Sequence, residues 1–193
     1  MKPDIVAVLG LVADALEGAG VAYCLAGSLA SSVHGVGRAT LDADLVAALE
    51  PAHVRALCRA LEGAFYLDEE GIRYAVAHRD SFNVIHTETL LKVDVFVLGG
   101  ADYEREAFER RVSDTLEDEP GARAFPIERP EDNILHKLMG YLKGGCVPDR
   151  QWQDVQGVLR VQDRKLDLPY LHRWASSLGL EDLLNKALKE AGL

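Results

Sequence analysis

Apolar residues recur at Ile5, Val8, Leu9, Val12 and Leu16, the spacing of one helical face, and Gly18 and Gly20 close the run. A helix is therefore predicted over residues 4–18. The apolar stretch 21–25 predicts a buried strand, and the small residues of 28–34 predict a helix packed tightly on it, broken by Gly35 and Gly37. Residues 41–47 predict the next strand. Pro51 opens a helix that runs to Leu61, an early position that suits proline. Segments 82–86 and 90–98 alternate or run apolar with β-branched enrichment and predict strands, whereas 74–77 is ambiguous. Gly99 and Gly100 end the second of these. A helix is predicted over 103–110, and 112–116 with 122–127 predict a strand pair around Glu119-Pro120-Gly121.

After Pro130 the pattern is helical, over residues 131–143, 150–162, 169–178 and 180–191. The Gly144-Gly145-Cys146-Val147-Pro148 break separates the first two, and Asp167 is placed to cap the third. The expected class is α+β. Residues 1–127 form a mixed β-sheet flanked by helices, and residues 128–193 form a helical region packed on that core.

Composition narrows the setting. The 193 residues fit one domain, or one with a small helical appendage, and 48% hydrophobic content supports a normal core. No apolar run approaches the roughly 20 residues that span a bilayer, and Met1-Lys2-Pro3-Asp4 opens no secretory signal, so no membrane partner is expected. Cys24, Cys58 and Cys146 are odd in number and scattered, which argues against a disulfide framework or zinc knuckle and for a cytoplasmic protein. A formal net charge of -10 argues against a long nucleic-acid footprint but leaves room for a small one, such as an RNA end.

The candidate chemistry lies in three places. Gly27-Ser28 ends a strand and enters a helix, where free backbone N–H groups and the helix dipole favour an anion. Taken alone, an ordinary strand-to-helix turn with Ser28 as N-cap is the favoured reading. Asp42 and Asp44 stand two apart on a strand, so both carboxylates share a face while Leu41, Ala43 and Leu45 take the other. Like charges side by side call for a cation, and Mg²⁺ takes hard oxygen ligands while leaving positions for phosphates; a solvent-facing strand edge is the plainer alternative. Asp94, between Val93 and Val95, is the third carboxylate and is expected to be buried. It needs a partner. A metal shared with Asp42 and Asp44 supplies one, and Lys92 is read as facing the opposite side of the strand.

At these residues the chain resembles the nucleotidyltransferase fold of the DNA polymerase β superfamily: Ala26-Gly27-Ser28, then Leu41-Asp42-Ala43-Asp44-Leu45, then Val93-Asp94-Val95. Residues 35–45, with Gly35, Arg38, Thr40, Asp42 and Asp44, look like the corresponding stretch of AbiEii-like bacterial nucleotidyltransferases. Residues 130–138 and 150–155 are similar to the helical segment that follows in that group. The resemblance implies a nucleoside triphosphate as substrate and two Mg²⁺ ions held by Asp42 and Asp44. Asp94 would share one ion and help the acceptor hydroxyl lose its proton. Gly27 and Ser28 would cradle the triphosphate.

The expected reaction is Mg-dependent transfer of NMP from an NTP to a hydroxyl acceptor. The AbiEii resemblance suggests an RNA-directed, toxin-like role with an antitoxin partner. A small hydroxylated molecule of the antibiotic kind is the alternative acceptor, and a non-catalytic nucleotide-binding module is the alternative class. Arg38 and Lys137 are further candidates for nucleotide binding, each weighed evenly against a surface role. Arg150 and Asp154 are spaced for an intrahelical ion pair. His34 and His86 are read as structural, and Trp152 and Trp174 as core.

Overall fold

The computed structural model describes residues 5–37, 40, 42–117, 119–147 and 150–193. Arg38 and Leu41 lie outside the described residues.

Helix α1 (Ile5–Gly18) buries Val8, Leu9, Val12 and Leu16, the stripe its sequence sets out. Strand β1 (Tyr23–Ala26) is buried throughout and passes directly into α2 (Gly27–His34). Then come β2 (Asp42–Ala47), a 3-10 turn at Pro51–His53, α3 (Val54–Leu61), the two-residue β3 (Phe65–Tyr66), α4 (Glu69–His78), β4 (Ser81–His86) and β5 (Lys92–Val97). Helix α5 (Asp102–Glu109) precedes β6 (Val112–Thr115) and β7 (Ala124–Ile127). Helices α6 (Pro130–Lys143), α7 (Arg150–Gln162), α8 (Leu168–Leu178) and α9 (Glu181–Ala191) complete the chain.

The ambiguous segment at 74–77 belongs to α4. That helix is capped by Asp68, whose carboxylate accepts the Glu70 N–H at 3.1 Å, and it buries only Ile72, Ala75 and Val76. So thin an apolar stripe among charged residues hides the helical period. The Asp167 cap forms as expected, accepting the Tyr170 N–H at 3.0 Å.

One mixed seven-stranded sheet runs in the order β3-β4-β5-β2-β1-β7-β6. The expected β6–β7 pair forms, but it is no separate hairpin. β7 lies parallel to β1, with Leu25 opposite Ile127, and the Glu128 N–H continues the ladder to the Leu25 carbonyl at 2.9 Å. This addition carries the chain entering α6 to the end of β1, beside Gly27.

Strand alternation divides the sheet into two faces. Leu25, Ala43, Leu45, Val93 and Val95 pack with α1, α3 and α4 in one hydrophobic cluster. The other face carries Asp42, Asp44, Lys92 and Asp94. A second cluster joins α6–α9 and also takes in Tyr103 and Ala107 of α5. Helix α2 packs on α6 and α7, and a Cβ on Gly35 would meet backbone atoms of Val158 and Gly157 at 2.8 and 2.9 Å. Among the described residues, no helix is long and apolar enough to cross a membrane, and the three cysteines are free.

Asp132 sits at the start of α6, fully buried, and its Oδ1 accepts from the Tyr170 hydroxyl at 2.5 Å. Its Oδ2 has no hydrogen-bond partner among the described residues; the nearest cation is Arg110 Nε at 3.8 Å. Burial pushes this carboxyl up to about 6, against the opposing pull of Tyr170 and Arg110. A carboxyl held above its unfolded value keeps a proton that the unfolded chain has already lost. Stability is therefore lost as pH rises from about 4 to about 7. We expect Asp132→Asn, which carries no charge at any pH, to gain on the parent protein by up to about 3 kcal/mol across that window. Urea unfolding of both proteins over the pH series checks this, and a constant difference between them would contradict it.

Candidate active site

The site is built on the turn from β1 into α2. Gly27 takes a φ of 63°, the left-handed region that glycine enters without strain. It also lacks a Cβ for a second reason. An added Cβ would lie 1.9 Å from Asp44 Oδ2, so the Asp44 carboxylate occupies the space a side chain would need. The strand register brings this about, with Ala26 directly opposite Asp44 across the β1–β2 pair.

The first N–H groups of α2 are engaged by carboxylates of the protein. Gly27 N–H donates to Glu128 Oε1 at 3.0 Å, and the Ser28 backbone N–H bonds the Asp44 carboxylate. The helix end does attract anions as its dipole requires, but these two donors already have partners. What the turn offers the cleft is the Ser28 side chain, whose hydroxyl accepts from Lys137 Nζ at 3.2 Å. Ser28 is not the N-cap, because the helix starts one residue earlier.

Asp42, Asp44 and Asp94 come together. β2 and β5 run parallel with Asp42 opposite Lys92 and Asp44 opposite Asp94, and the three carboxylates line one cleft of about 470 Å³ with Ser28, Thr40, Lys137, Arg150, Gln151 and Asp154. Asp42 is exposed, whereas Asp44 and Asp94 are half-buried, so Asp94 is less enclosed than its valine neighbours imply. Burial first, and then the Asp94 charge, raise the Asp44 carboxyl above its usual value; Lys137 and the Ser28 N–H act in the other direction.

Lys92 corrects the sequence reading. Residues two apart on a strand share a face, so Lys92 stands on the same side as Asp94 and bonds its Oδ2 at 2.7 Å. The hydrogen bond to Asp94 and the charges of Asp94, Asp42 and Asp44 hold the lysine above its usual value despite some desolvation. Among the described residues, no group of three or more His, Cys, Asp or Glu is placed to hold a metal ion. The donor chemistry still fits one Mg²⁺. Asp42 and Asp44 supply hard oxygens on one face, and Mg²⁺ is commonly bound through one or two carboxylates plus substrate phosphates. A second ion shared with Asp94 meets Lys92 there instead.

Lys137 is no solvated helix residue. It is buried, and its ammonium bridges Ser28 Oγ and Asp154 Oδ2, the latter at 2.8 Å. Asp154, expected to pair with Arg150 along α7, thus ties α7 to α6, and both residues line the cleft. His34 Nε2 meets the Glu128 carbonyl at 2.6 Å, and His86 Nδ1 meets the Thr89 hydroxyl at 2.9 Å, both structural roles. Trp152 and Trp174 pack against the second cluster.

The sequence reading missed the group beneath the turn. Glu128 is buried and, beyond its N–H bond to Leu25, takes four partners: its backbone carbonyl meets His34, Oε1 accepts from Gly27 N–H and from Asn133 Nδ2 at 2.7 Å, and Oε2 meets His136 Nδ1 at 2.6 Å. Asn133 also donates to the Gly27 carbonyl at 3.0 Å, and Ser31 Oγ reaches both that carbonyl and Asn133 Oδ1 at 2.9 Å. Burial opposes a charge on His136, but the Glu128 carboxylate, together with the charges of Asp132 and Glu104, outweighs it and holds the imidazole above its usual value. A second cavity, about 570 Å³ and largely apolar, adjoins the cleft and shares Asp44, Lys137 and Gln151 with it; His136 lines it too. The only sequence signal was Asn133, a polar residue at a core register of α6.

Gly27→Ala is expected to cost more than strained backbone alone. Gly179 has a similar φ of 70° with nothing within 4 Å of an added Cβ, so Gly179→Ala measures the backbone cost, on the order of 1–3 kcal/mol. Gly27→Ala should exceed it in urea unfolding because Asp44 must move. Equal costs would show that the Gly27–Asp44 contact does not constrain the turn.

No protein-family model and no curated protein sequence matches the chain. Solved structures do. The solution structure of the antibiotic-resistance factor ANT(2'')-Ia is similar at a TM-score of 0.61 and 12% identity, over 96% of this chain and 99% of that one. The crystal structure of an antigenic nucleotidyltransferase-like protein from Paracoccidioides brasiliensis is similar at a TM-score of 0.53 and 15% identity, over 95% of this chain and 91% of that one. At such identity the likeness is one of fold. The mixed sheet, its flanking helices and the C-terminal helical segment are those of the nucleotidyltransferase fold.

Proposed function

We propose that the chain transfers a nucleotidyl group from a nucleoside triphosphate to a hydroxyl acceptor. The observation that carries this reading is the meeting of Asp42 and Asp44 with Asp94 in one cleft, which the buried Lys137 and the Ser28 hydroxyl also line. Acidic and basic groups then line the same cleft, as a triphosphate with its counter-ion requires.

In this reading Lys137 and Ser28 hold phosphate oxygens, with Asp154 fixing the lysine ammonium. Asp44, wedged over Gly27, and Asp42 would hold a divalent ion, which would supply neutralisation of charge on the phosphates. The acceptor oxygen bonds the α-phosphorus, the bond from that phosphorus to the bridging oxygen of the β-phosphate breaks, and pyrophosphate leaves. The acceptor proton passes to Asp94. Positioning and charge neutralisation supply most of the rate. Arg38, outside the described residues, is retained as a phosphate contact from the sequence. We also retain the division into a core of residues 1–127 and a helical region of 128–193.

The acceptor we propose is an RNA end, with a toxin-like role and an antitoxin partner, on the strength of the AbiEii-like stretches 35–45, 130–138 and 150–155. A small cationic hydroxylated acceptor of the antibiotic kind is the second reading. It is favoured by the net charge of -10 and by an adjoining cavity of about 570 Å³, a size suited to a small molecule.

Incubation with α-³²P-labelled NTPs and Mg²⁺, in the presence of total RNA or of aminoglycosides and lincosamides, tests the reading. Label should appear in one acceptor fraction, and Asp42→Asn or Asp44→Asn should lower the transfer at least about 100-fold. Unchanged transfer in both variants would remove the catalytic assignment. Tight nucleotide binding without any labelled acceptor would favour a non-catalytic binding module. Lys137→Met should weaken nucleotide binding in calorimetry by roughly tenfold or more, as expected for loss of a charge-assisted phosphate contact.

A further inference from the structure

The carboxylate face carries its own cation. On neighbouring parallel strands, Asp42 stands opposite Lys92 and Asp44 opposite Asp94, so alternation sets these four side chains at the corners of one rectangle on one face of the sheet. Lys92 Nζ lies 2.7 Å from Asp94 Oδ2, and the lysine side chain keeps 37% of its surface exposed. On the far side of β5, Asn83 is opposite Asp94 and Ile85 is opposite Lys92, so β4 adds neither an acid nor a base at these two positions.

Three carboxylates and one ammonium leave two negative charges on the rectangle, the charge that one divalent ion balances. Two divalent ions would leave the protein's own site two charges positive, and the second would have to take Asp94 from a contact already made at hydrogen-bond distance.

We propose that Lys92 is the resident cation of this face, standing where a second divalent ion would be held on Asp94, so that the chain binds one divalent ion through Asp42 and Asp44. The proposal rests on the nucleotidyl-transfer reading only for what that ion does. The count of ions is a property of the side chains and is measured separately.

The test is the number of Mn²⁺ ions bound per chain, read by electron paramagnetic resonance on the full chain, with and without the α,β-methylene analogues of the four common NTPs. The parent protein should bind one ion. Lys92→Met should bind two, or bind one at least about tenfold more tightly, because a like charge beside the site is gone. Lys92→Arg keeps the charge and should stay at one ion with near-parental affinity. Asp94→Asn should still bind one ion. Two ions on the parent protein overturn the role of Lys92 while leaving nucleotidyl transfer standing. One ion without any analogue bound upholds Lys92 and counts against nucleotidyl transfer, and neither ion nor analogue bound overturns both.

Discussion

The contact between Gly27 and the Asp44 carboxylate organises the site. A strand cannot pass straight into a helix while a neighbouring strand lays a carboxylate over the junction unless the junction residue lacks a Cβ and accepts a positive φ. Glycine meets both conditions at once. Its N–H and carbonyl are then fixed from below, by Glu128 and by Asn133 with Ser31. The turn is thus pinned between β2 above and the entry to α6 beneath, which joins the carboxylate face of the sheet to the C-terminal helices.

That joint explains why so many charged groups lie between two apolar clusters. Buried charges are costly unless paired and hydrogen-bonded, and here nearly all of them are. Lys137 meets Asp154 and Ser28; Glu128 meets Gly27, Asn133 and His136; Lys92 meets Asp94. Asp132, with one oxygen left without a hydrogen bond among the described residues, is the exception, and its raised protonation range is the physical result. The network lines both cavities. The residues that hold the helical region onto the sheet are therefore also the residues any substrate meets there.

The carboxylates on β2 and β5 were legible because a period of two assigns faces from residue number alone, and the helices of the C-terminal region were legible because their apolar stripes are broad. The same period places Lys92 beside Asp94; a misassigned face, not a missing signal, hid it. Helix α4 was hidden by its narrow stripe, and Glu128, which follows a strand and precedes a proline-started helix, carries no periodic mark at all. The turn at Gly27-Ser28 was located correctly, yet its N–H groups were expected to wait for phosphate. They are held by Asp44 and Glu128 because a helix end attracts whichever anion the fold brings first.

The sequence by itself determined most of the elements, the sharing of a face by Asp42 and Asp44, and the need for a cation near three carboxylates. These follow from local geometry and from the sign of charge, which do not depend on distant residues. Only the tertiary structure decided which partner each charge takes. Strand register set Asp94 against Asp44, the parallel addition of β7 to β1 delivered Glu128 to Gly27, and the packing of α6 on α7 gave Lys137 to Asp154. Those pairings join residues as far as 101 positions apart, and no local rule constrains them.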